Sequence, residues 1–522
     1  MKTLTIRLSF VALLLVLIAW EPLTSWAQSQ RYQRVMVVPD RDIQTTLDGE
    51  FTIAAVGDVV AIRPTSKLEV PEVQAVYSLL READVSFGNL EQNIAEPANV
   101  LAENDARMFQ ALARPQIADD LRAIGFDLMN FANNHTTHFG LAGLRETMNH
   151  MKRVGIVTAG WGRNLAEAQR AKFLDTPKGR IGFLGITTNS FRDARHAGED
   201  SPGYAGANAL HVQRTVTIAQ EALDALRKAK EISPQLFPGL YPITSARTFR
   251  DEGDRIRLYD EYYVAGDHAH YSYSIRSGEL ETYAGEVRNA KYLSDFVVAN
   301  IHSHHWQVPD NATSASTETR EPPDFLVELA HAAIDNGADA FYSHGEGELR
   351  GIEIYKGKPI FYQLGNFTRQ PFFQEIFNPE FRSMARRFPA GGGGPRGRGP
   401  RAGGGPPAGG RGAGGGPPAR GPGAGGENLT RAEVQGMIYP VNHGREYFES
   451  VVAVSHYDEG ALKQIRLHPV DLKFDGPFVD IGTPHLASGE IAQRVLETIR
   501  EASEPFGTEV RIAGDVGIIE IN

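Results

Sequence analysis

Through the first two thirds of the chain, short apolar runs alternate with stretches whose apolar residues recur at helical spacing. Most of the apolar runs stop abruptly at polar side chains. A short apolar run bounded by turn formers reads as a buried strand, and recurrence at i, i+3 and i+4 reads as an amphipathic helix. Residues 51–56 therefore predict a strand ending in Gly57-Asp58, with a helix over about 70–82 behind it. Residues 83–87 predict a second strand, ending in Gly88-Asn89-Leu90-Glu91. A helix near 115–124 closes on Gly125, a residue type suited to the C-cap. The apolar run 126–131 comes next and ends in Asn133-Asn134-His135. Asn is depleted in strands, so the chain turns there and presents all three side chains.

The alternation continues. Gly140 opens a helix through about Val154, which Gly155 closes, and residues 180–186 form another strand. Ala, Leu and Ile at helical spacing predict a helix over about 207–230, whereas the aromatic-rich residues 233–275 read as irregular. A helix at about 281–293 leads into the strand 295–301, which ends in His302-Ser303-His304-His305. A helix over 323–336 starts at a Pro pair, where Pro is tolerated, and the strand 338–342 ends in Ser343-His344-Gly345-Glu346.

Hairpins dominate after residue 345. Residues 350–355 and 359–362 flank the turn Lys356-Gly357-Lys358 and lead to Leu364-Gly365-Asn366-Phe367. Residues 448–454 and 463–467 flank Asp458-Glu459-Gly460, and a helix over about 488–502 and a strand near 509–520 close the chain. Between the hairpins, 389–426 is almost only Gly, Pro, Ala and Arg and cannot bury a core, so it is expected to be a disordered insertion. The expected organisation is one α/β domain over 51–368, completed as a sandwich by 434–522.

Composition narrows the class. With 41 % hydrophobic and 22 % charged residues, the 522-residue chain has enough apolar material for a globular core. A net charge of −11 argues against a nucleic-acid partner held by bulk charge. The absence of Cys excludes disulfides, thiolate metal sites and Cys nucleophiles. Lys2 and Arg7 precede an apolar run, and Ser25-Trp26-Ala27 gives a small-x-small cleavage pattern. Residues 1–27 therefore read as a signal peptide, and the run is too short to span a bilayer comfortably. The expectation is an exported protein, periplasmic or extracellular, with no stable membrane span after cleavage.

The polar strand ends carry the chemistry. Asp58; Asn89 with Glu91; Asn133, Asn134 and His135; His302 with His304; and His344 all fall at the C-terminal ends of predicted strands. In α/β proteins ligands bind outside those ends. Taken singly, each of these residues is more often a turn cap, a solvated charge or a surface histidine. Together, carboxylate, amide and imidazole donors suit Mn, Fe, Zn or Mg. Two such ions would clamp an anionic oxygen and lower the pKa of water, and His135 would protonate a leaving group or hold developing charge.

These residues carry a resemblance. Gly57-Asp58, Asn89-Leu90-Glu91, Asn133-Asn134-His135, His302-Ser303-His304 and the signature from Gly351 to Phe367 together resemble the capsule synthesis protein CapA family, the poly-γ-glutamate synthesis group related to calcineurin-like metallophosphoesterases. The resemblance implies a four-layer α/β/β/α sandwich with a dinuclear metal site. By motif, Asp58 stands at the first metal aspartate and Glu91 at the second-motif acid. Asn134 and His135 stand at the ligand and acid-catalyst pair, His302 or His304 at the fourth-motif histidine, and His344 at the last metal histidine. The chain departs from the pattern where a second histidine usually follows: that position is Gly347, with Glu346 and Glu348 beside it. His138 also replaces an acidic residue often found after the Asn-Asn-His motif.

Two functions fit. One is an exported metal-dependent hydrolase of phosphoesterase type, acting on an anionic polymer or phosphoester in capsule or envelope metabolism. The other is a non-catalytic envelope protein that binds an anionic polymer or supports its export beside the polymer-synthesis machinery.

Overall fold

The computed structural model describes residues 45–100, 112–188, 206–233, 249–259, 261–307, 320–370, 444–477 and 480–521. The leader expected at 1–27 and the Gly/Pro/Arg-rich stretch at 389–426 lie outside the described residues.

In chain order the main elements begin with β1 (Glu50–Val60), α1 (Pro71–Glu82) and β2 (Val85–Leu90). Next come α2 (Gln116–Ile124), β3 (Leu128–Asn130), α3 (Gly140–Val154), β4 (Val157–Ala159), β5 (Lys172–Thr176) and β6 (Gly179–Thr188). A smaller unit follows: β7 (Val212–Ile218), α4 (Gln220–Ile232), β8 (Phe249–Asp251), β9 (Arg255–Leu258), β10 (Glu261–Ala265) and β11 (His270–Ile275). The main fold resumes with α5 (Glu279–Leu293), β12 (Phe296–Ser303), α6 (Asp324–Asp335), β13 (Ala340–Gly345), β14 (Ile352–Tyr355), β15 (Lys358–Phe361) and β16 (Asn366–Arg369). It ends with β17 (Glu449–Asp458), β18 (Ala461–Asp471), α7 (Gly489–Ser503), β19 (Arg511–Ala513) and β20 (Val516–Glu520).

Two large sheets result. The ten-stranded sheet runs β19-β20-β18-β17-β1-β2-β3-β4, with β16 also pairing on β1. The seven-stranded sheet runs from the short strand Ala209–Leu210 through β6-β12-β13-β15-β14, with β5 on β6. Within them β1, β2, β3 and β4 are parallel, as are β6, β12 and β13. The C-terminal strand β17 joins β1 antiparallel.

Side-chain alternation sorts the layers. Ile53 and Ala55 of β1 and Phe87 of β2 share one core with Phe183, Phe296, Val298 and Tyr342 of the other sheet. Phe87 meets Phe183 edge-on with ring centroids 5.6 Å apart, which fixes the two sheets face to face. The alternate residues Ala54 and Val56 pack outward on Val73, Tyr77 and Leu80 of α1 and on residues of α2 and α3. On the far side, Val297 and Ala299 of β12 pack on Val287 of α5 and Leu329 of α6. The order helices, sheet, sheet, helices gives four layers, as the resemblance implies.

Three expectations need correction. The helix expected over 207–230 begins only at Gln220, because Val212, Thr215, Val216, Thr217 and Ile218 are β-branched and form β7. Residues 233–275 are not irregular where they are described: β8-β9-β10-β7-β11 make a five-stranded sheet, with Phe249 and Ile256 packed on Leu223 of α4. The final strand near 509–520 is a hairpin of β19 and β20.

Candidate metal centre

Two rows of residues in register build the site. On the larger sheet Asn366, Asp58, Asn89 and Asn130 lie side by side across β16, β1, β2 and β3. On the facing sheet Thr187, His302 and His344 lie side by side across β6, β12 and β13. Asp58 is not at a strand end, as the sequence predicted. β1 continues through Val60, and its register shifts between Ala55 and Asp58. Gly57 allows this: a Cβ there would lie 1.9 Å from the Gly365 carbonyl oxygen, which accepts the Asp58 N–H at 3.2 Å.

Every residue expected at the site converges on it. Asp58, Glu91, His302 and His344 are buried. His302 Nε2 lies 3.0 Å from Asn134 Oδ1, 3.0 Å from His304 Nε2 and 3.8 Å from Glu91 Oε1. His302 Nδ1 lies 3.1 Å from His344 Nδ1 and 3.7 Å from Asp58 Oδ1. His135 Nε2 is 3.8 Å from Glu91 Oε1, and His135 Nδ1 is 3.0 Å from His138 Nδ1. The side chains of His135, His304 and Arg369 are 19 %, 17 % and 19 % exposed, so they line the edge of the cluster open to solvent.

Buried asparagines hold the donors in place. Asn130 and Asn133 both donate to Asn89 Oδ1, at 2.9 and 3.2 Å, and Asn89 donates to Asp58 Oδ1 at 2.7 Å. An unpaired buried amide would cost about 1–3 kcal/mol, so these pairings are needed for the polar row to be tolerated. The Gly345 N–H donates to Asp58 Oδ2 at 3.0 Å and ties one sheet to the other.

Burial shapes the charges. It opposes ionisation of Asp58, but His302, His344 and the Asn89 amide outweigh it and hold this carboxyl well below the usual carboxylate range. Burial, reinforced by the negative charge of Asp58, pushes Glu91 up to about 8. Burial lowers His344 to about 3 and depresses His302 and, with nearby positive groups, His135. His304 goes the other way: burial opposes its charge, but Glu346, Glu91 and Asp58 raise it above the ordinary imidazole value.

The donor set fits a divalent cation. Glu91, His302 and His304 form one group of potential ligands, and Asp58, His302 and His344 form a second. Ligands about 2.0–2.2 Å from one ion stand roughly 3 to 3.5 Å apart, close to the spacings around His302 Nε2. Two imidazoles with carboxylate and amide oxygen suit Mn, Fe or Zn better than Mg.

Asn130, Asn300 and Arg369 were not anticipated. Asn300 precedes His302 by two residues on the same strand face, a signal present in the strand period. Arg369 Nη1 reaches Glu91 Oε2 at 3.4 Å and Asn366 Oδ1 at 3.3 Å, and nothing local in the sequence marks it. Nor does the structure leave room for a histidine at 347. Gly347 has φ +76°, and a Cβ would lie 2.5 Å from Asn366 Nδ2. Glu346 instead sits 3.3 Å from His304 Nδ1, behind the nitrogen that faces Glu91.

An α/β sandwich with a buried carboxylate–imidazole–amide cluster between facing strand rows defines a protein equipped to hold a divalent cation at its sheet ends. The chain belongs to the bacterial capsule synthesis protein family PGA_cap, whose family model matches residues 52–371. Two Sinorhizobium fredii proteins, y4sH and y4uA, are each 33 % identical to it over 487 residues, 91 % of this chain and 94 % of theirs. The "PGA biosynthesis protein CapA" of Bacillus subtilis is 22 % identical over 62 % of this chain and 65 % of its own length. The "Capsule biosynthesis protein CapA" of Bacillus anthracis is 22 % identical over 70 % of this chain and 67 % of its own. Among solved structures, a hypothetical protein from Thermus thermophilus aligns with a TM-score of 0.32 and 11 % identity over 81 % of this chain and 99 % of its own. A likeness that weak fixes neither fold nor function.

Proposed function

We propose that the protein is an exported, metal-dependent hydrolase of phosphoester type that works on a capsule or other envelope polymer. The observation that carries this reading is the convergence of Glu91, Asn134, His302 and His304 beside His135 at the open edge of the cluster. A bound divalent ion supplies a Lewis acid for a phosphoryl oxygen and lowers the pKa of water. His135 turns Nε2 toward the same space, with Nδ1 held by His138. Burial, with the positive groups around it, lowers its pKa and favours the neutral imidazole. An anionic phosphoryl group beside it favours the protonated form, which is the form that protonates a leaving oxygen. Arg369 adds a guanidinium at the open edge that pairs with an anionic substrate.

The alternative, non-catalytic binding of an anionic polymer, is favoured by one observation: the second histidine of the last motif is absent, and its position is sterically closed. Both readings include export. Among the described residues no helix is long and apolar enough to cross a membrane. N-terminal sequencing of the exported form is expected to begin near Gln28.

Activity separates the two readings. The purified full chain is assayed on bis(p-nitrophenyl) phosphate before chelation, after chelation, and after readdition of Mn(II) or Zn(II). Hydrolysis that disappears with the metal and returns with it supports the hydrolase. Metal-independent or absent turnover, with retained binding of poly-γ-glutamate, supports the binding protein instead.

A further inference from the structure

We infer, resting on the metal-dependent reading above, that Glu346 is a positioning residue of the metal centre: its carboxylate holds the Nδ1–H of His304 and so turns the lone pair of Nε2 toward Glu91. The last motif lacks its usual second histidine at 347. The carboxylate next to that position instead orients a ligand from the end of the neighbouring strand.

The two nitrogens of His304 have different neighbours. Nε2 lies 3.0 Å from His302 Nε2 and 4.0 Å from Glu91 Oε1, within the group of potential ligands. Nδ1 lies 3.3 Å from Glu346 Oε1. A carboxylate accepts and cannot donate, so this contact needs the proton of His304 on Nδ1. The neutral imidazole then carries its lone pair on Nε2, the nitrogen among the ligands. A metal-ligating histidine usually gives its other N–H to a carboxylate or carbonyl, which fixes its tautomer and the orientation of its ring. The assignment requires nothing of the protons on His302 or His344.

The backbone aims Glu346 at this nitrogen. β12 and β13 are parallel and in register, with His302 beside His344 and Ser303 beside Gly345, so His304 and Glu346 leave the sheet side by side. The Gly345 N–H donates to Asp58 Oδ2 at 3.0 Å. Buried Gln363, with its amide oxygen toward the turn, accepts from the N–H groups of Glu346 and Gly347 at 2.6 and 2.7 Å. Three consecutive N–H groups are thus held, which fixes the point from which the Glu346 side chain departs. That side chain is 13 % exposed, and its Oε1 is buried with no other hydrogen bond among the described residues. A buried acceptor left without a donor costs about 1–3 kcal/mol, so the carboxylate needs the His304 N–H as much as the imidazole needs an acceptor. Arg350 also attracts Glu346, so the test must separate a carboxylate that orients His304 from one that only balances this guanidinium.

The test measures Mn(II) affinity by calorimetric titration of the chelator-stripped full chain. Glu346→Ala is expected to bind Mn(II) about 10- to 100-fold more weakly than wild type. Glu346→Gln keeps an acceptor oxygen for the His304 N–H and is expected to lose much less. In a His304→Ala background, Glu346→Ala is expected to cost no further affinity, because it acts through that imidazole. Wild-type affinity in Glu346→Ala overturns the inference and leaves the hydrolase standing. Equal weakening in the two Glu346 variants, or a full effect of Glu346→Ala in the His304→Ala chain, also overturns it and assigns Glu346 to Arg350 and the turn. Nitrogen NMR of the Zn(II)-loaded chain with isotopically labelled histidine decides the matter even where a Glu346 variant fails to fold. His304, identified by the signals lost in His304→Gln, is expected to bear its proton on Nδ1 and the metal on Nε2; a proton on Nε2 overturns the inference. Weaker binding in Glu346→Ala with no phosphoester turnover in wild type supports this inference and sinks the hydrolase. A wild type that binds neither Mn(II) nor Zn(II) overturns both.

Discussion

Gly57→Ala probes how β1 and β16 hold the polar row. Gly57 has no positive φ, so an alanine there meets no backbone penalty of its own. The obstacle is space: the new Cβ would lie 1.9 Å from the Gly365 carbonyl oxygen and 3.1 Å from its carbon. Carbon–oxygen contacts normally sit near about 3.3 Å, so the carbonyl must retreat by more than about 1 Å. It has little freedom to do so. Gly365 itself has φ +75°, its own Cβ would lie 2.7 Å from the Glu449 carbonyl oxygen, and it accepts the Asp58 N–H. Overpacking costs about 1–3 kcal/mol, and loss of the buried Asp58 hydrogen bond adds about 1–3 more. The expected destabilisation is about 3–5 kcal/mol, or roughly 4–7 °C in Tm for a domain of this size. Gly155→Ala is the control. Gly155 has φ +79° with nothing within 4 Å of the new Cβ, so it should cost only about 1–2 kcal/mol of left-handed backbone. Thermal and urea unfolding of both variants decide the matter. If Gly57→Ala melts no lower than Gly155→Ala, the close approach of β1 to Gly365 is not the constraint argued here.

Gly347→His is expected to lower Tm and add no bound metal, because its Cβ would meet Asn366 Nδ2 at 2.5 Å in a left-handed backbone; a gain of an ion in elemental analysis would refute the closed position. Glu91 gives a pH signature. Its folded pKa of about 8 lies above the ordinary 4.5, so its protonated form stabilises the metal-free fold below pH 4.5, and that contribution is lost as pH rises from 4.5 through 8. Metal-free Tm should therefore fall across that window relative to Glu91→Gln, and a parallel pH dependence in the two proteins would contradict the assignment. Asp339 holds Lys291 at 2.9 Å and Lys358 at 2.6 Å and accepts the Val297 N–H. Asp339→Ala leaves two lysines without this partner and should cost about 3 kcal/mol in urea unfolding, with metal content unchanged; loss of less than about 1 kcal/mol would show that the lysines relax into solvent.

Much of the fold was legible because strand and helix periods differ. The abrupt stops after Phe87, Phe131 and Ile301 marked the ends of core strands whose polar residues meet at the site. The failures have physical causes. β7 hides in a helical pattern because Ala, Leu and Ile of helix α4 follow it directly, and β-branched residues weigh little in a helical-spacing count. The small sheet leaves no clear alternation in the sequence because its Tyr and Arg side chains are only partly covered. At the site, the identity of the donors was visible but their roles were not. That His302 sets Nε2 beside Glu91 and Nδ1 beside Asp58 depends on the approach of the two sheets, and that Asn89 presents nitrogen to Asp58 depends on Asn130 and Asn133. Such facts arise from strand register across two sheets, which no local pattern encodes.

The most direct test of a metal-dependent centre with His135 at its open edge pairs two measurements on the same samples: metal content and bis(p-nitrophenyl) phosphate turnover, in wild type and His135→Ala. His135 is outside the proposed ligand set, with Nε2 3.8 Å from Glu91 Oε1. The account predicts equal metal in the two proteins and a rate lower by about 100-fold or more in the variant. Wild type that holds no metal, or a His135→Ala protein that turns over at the wild-type rate, would contradict it.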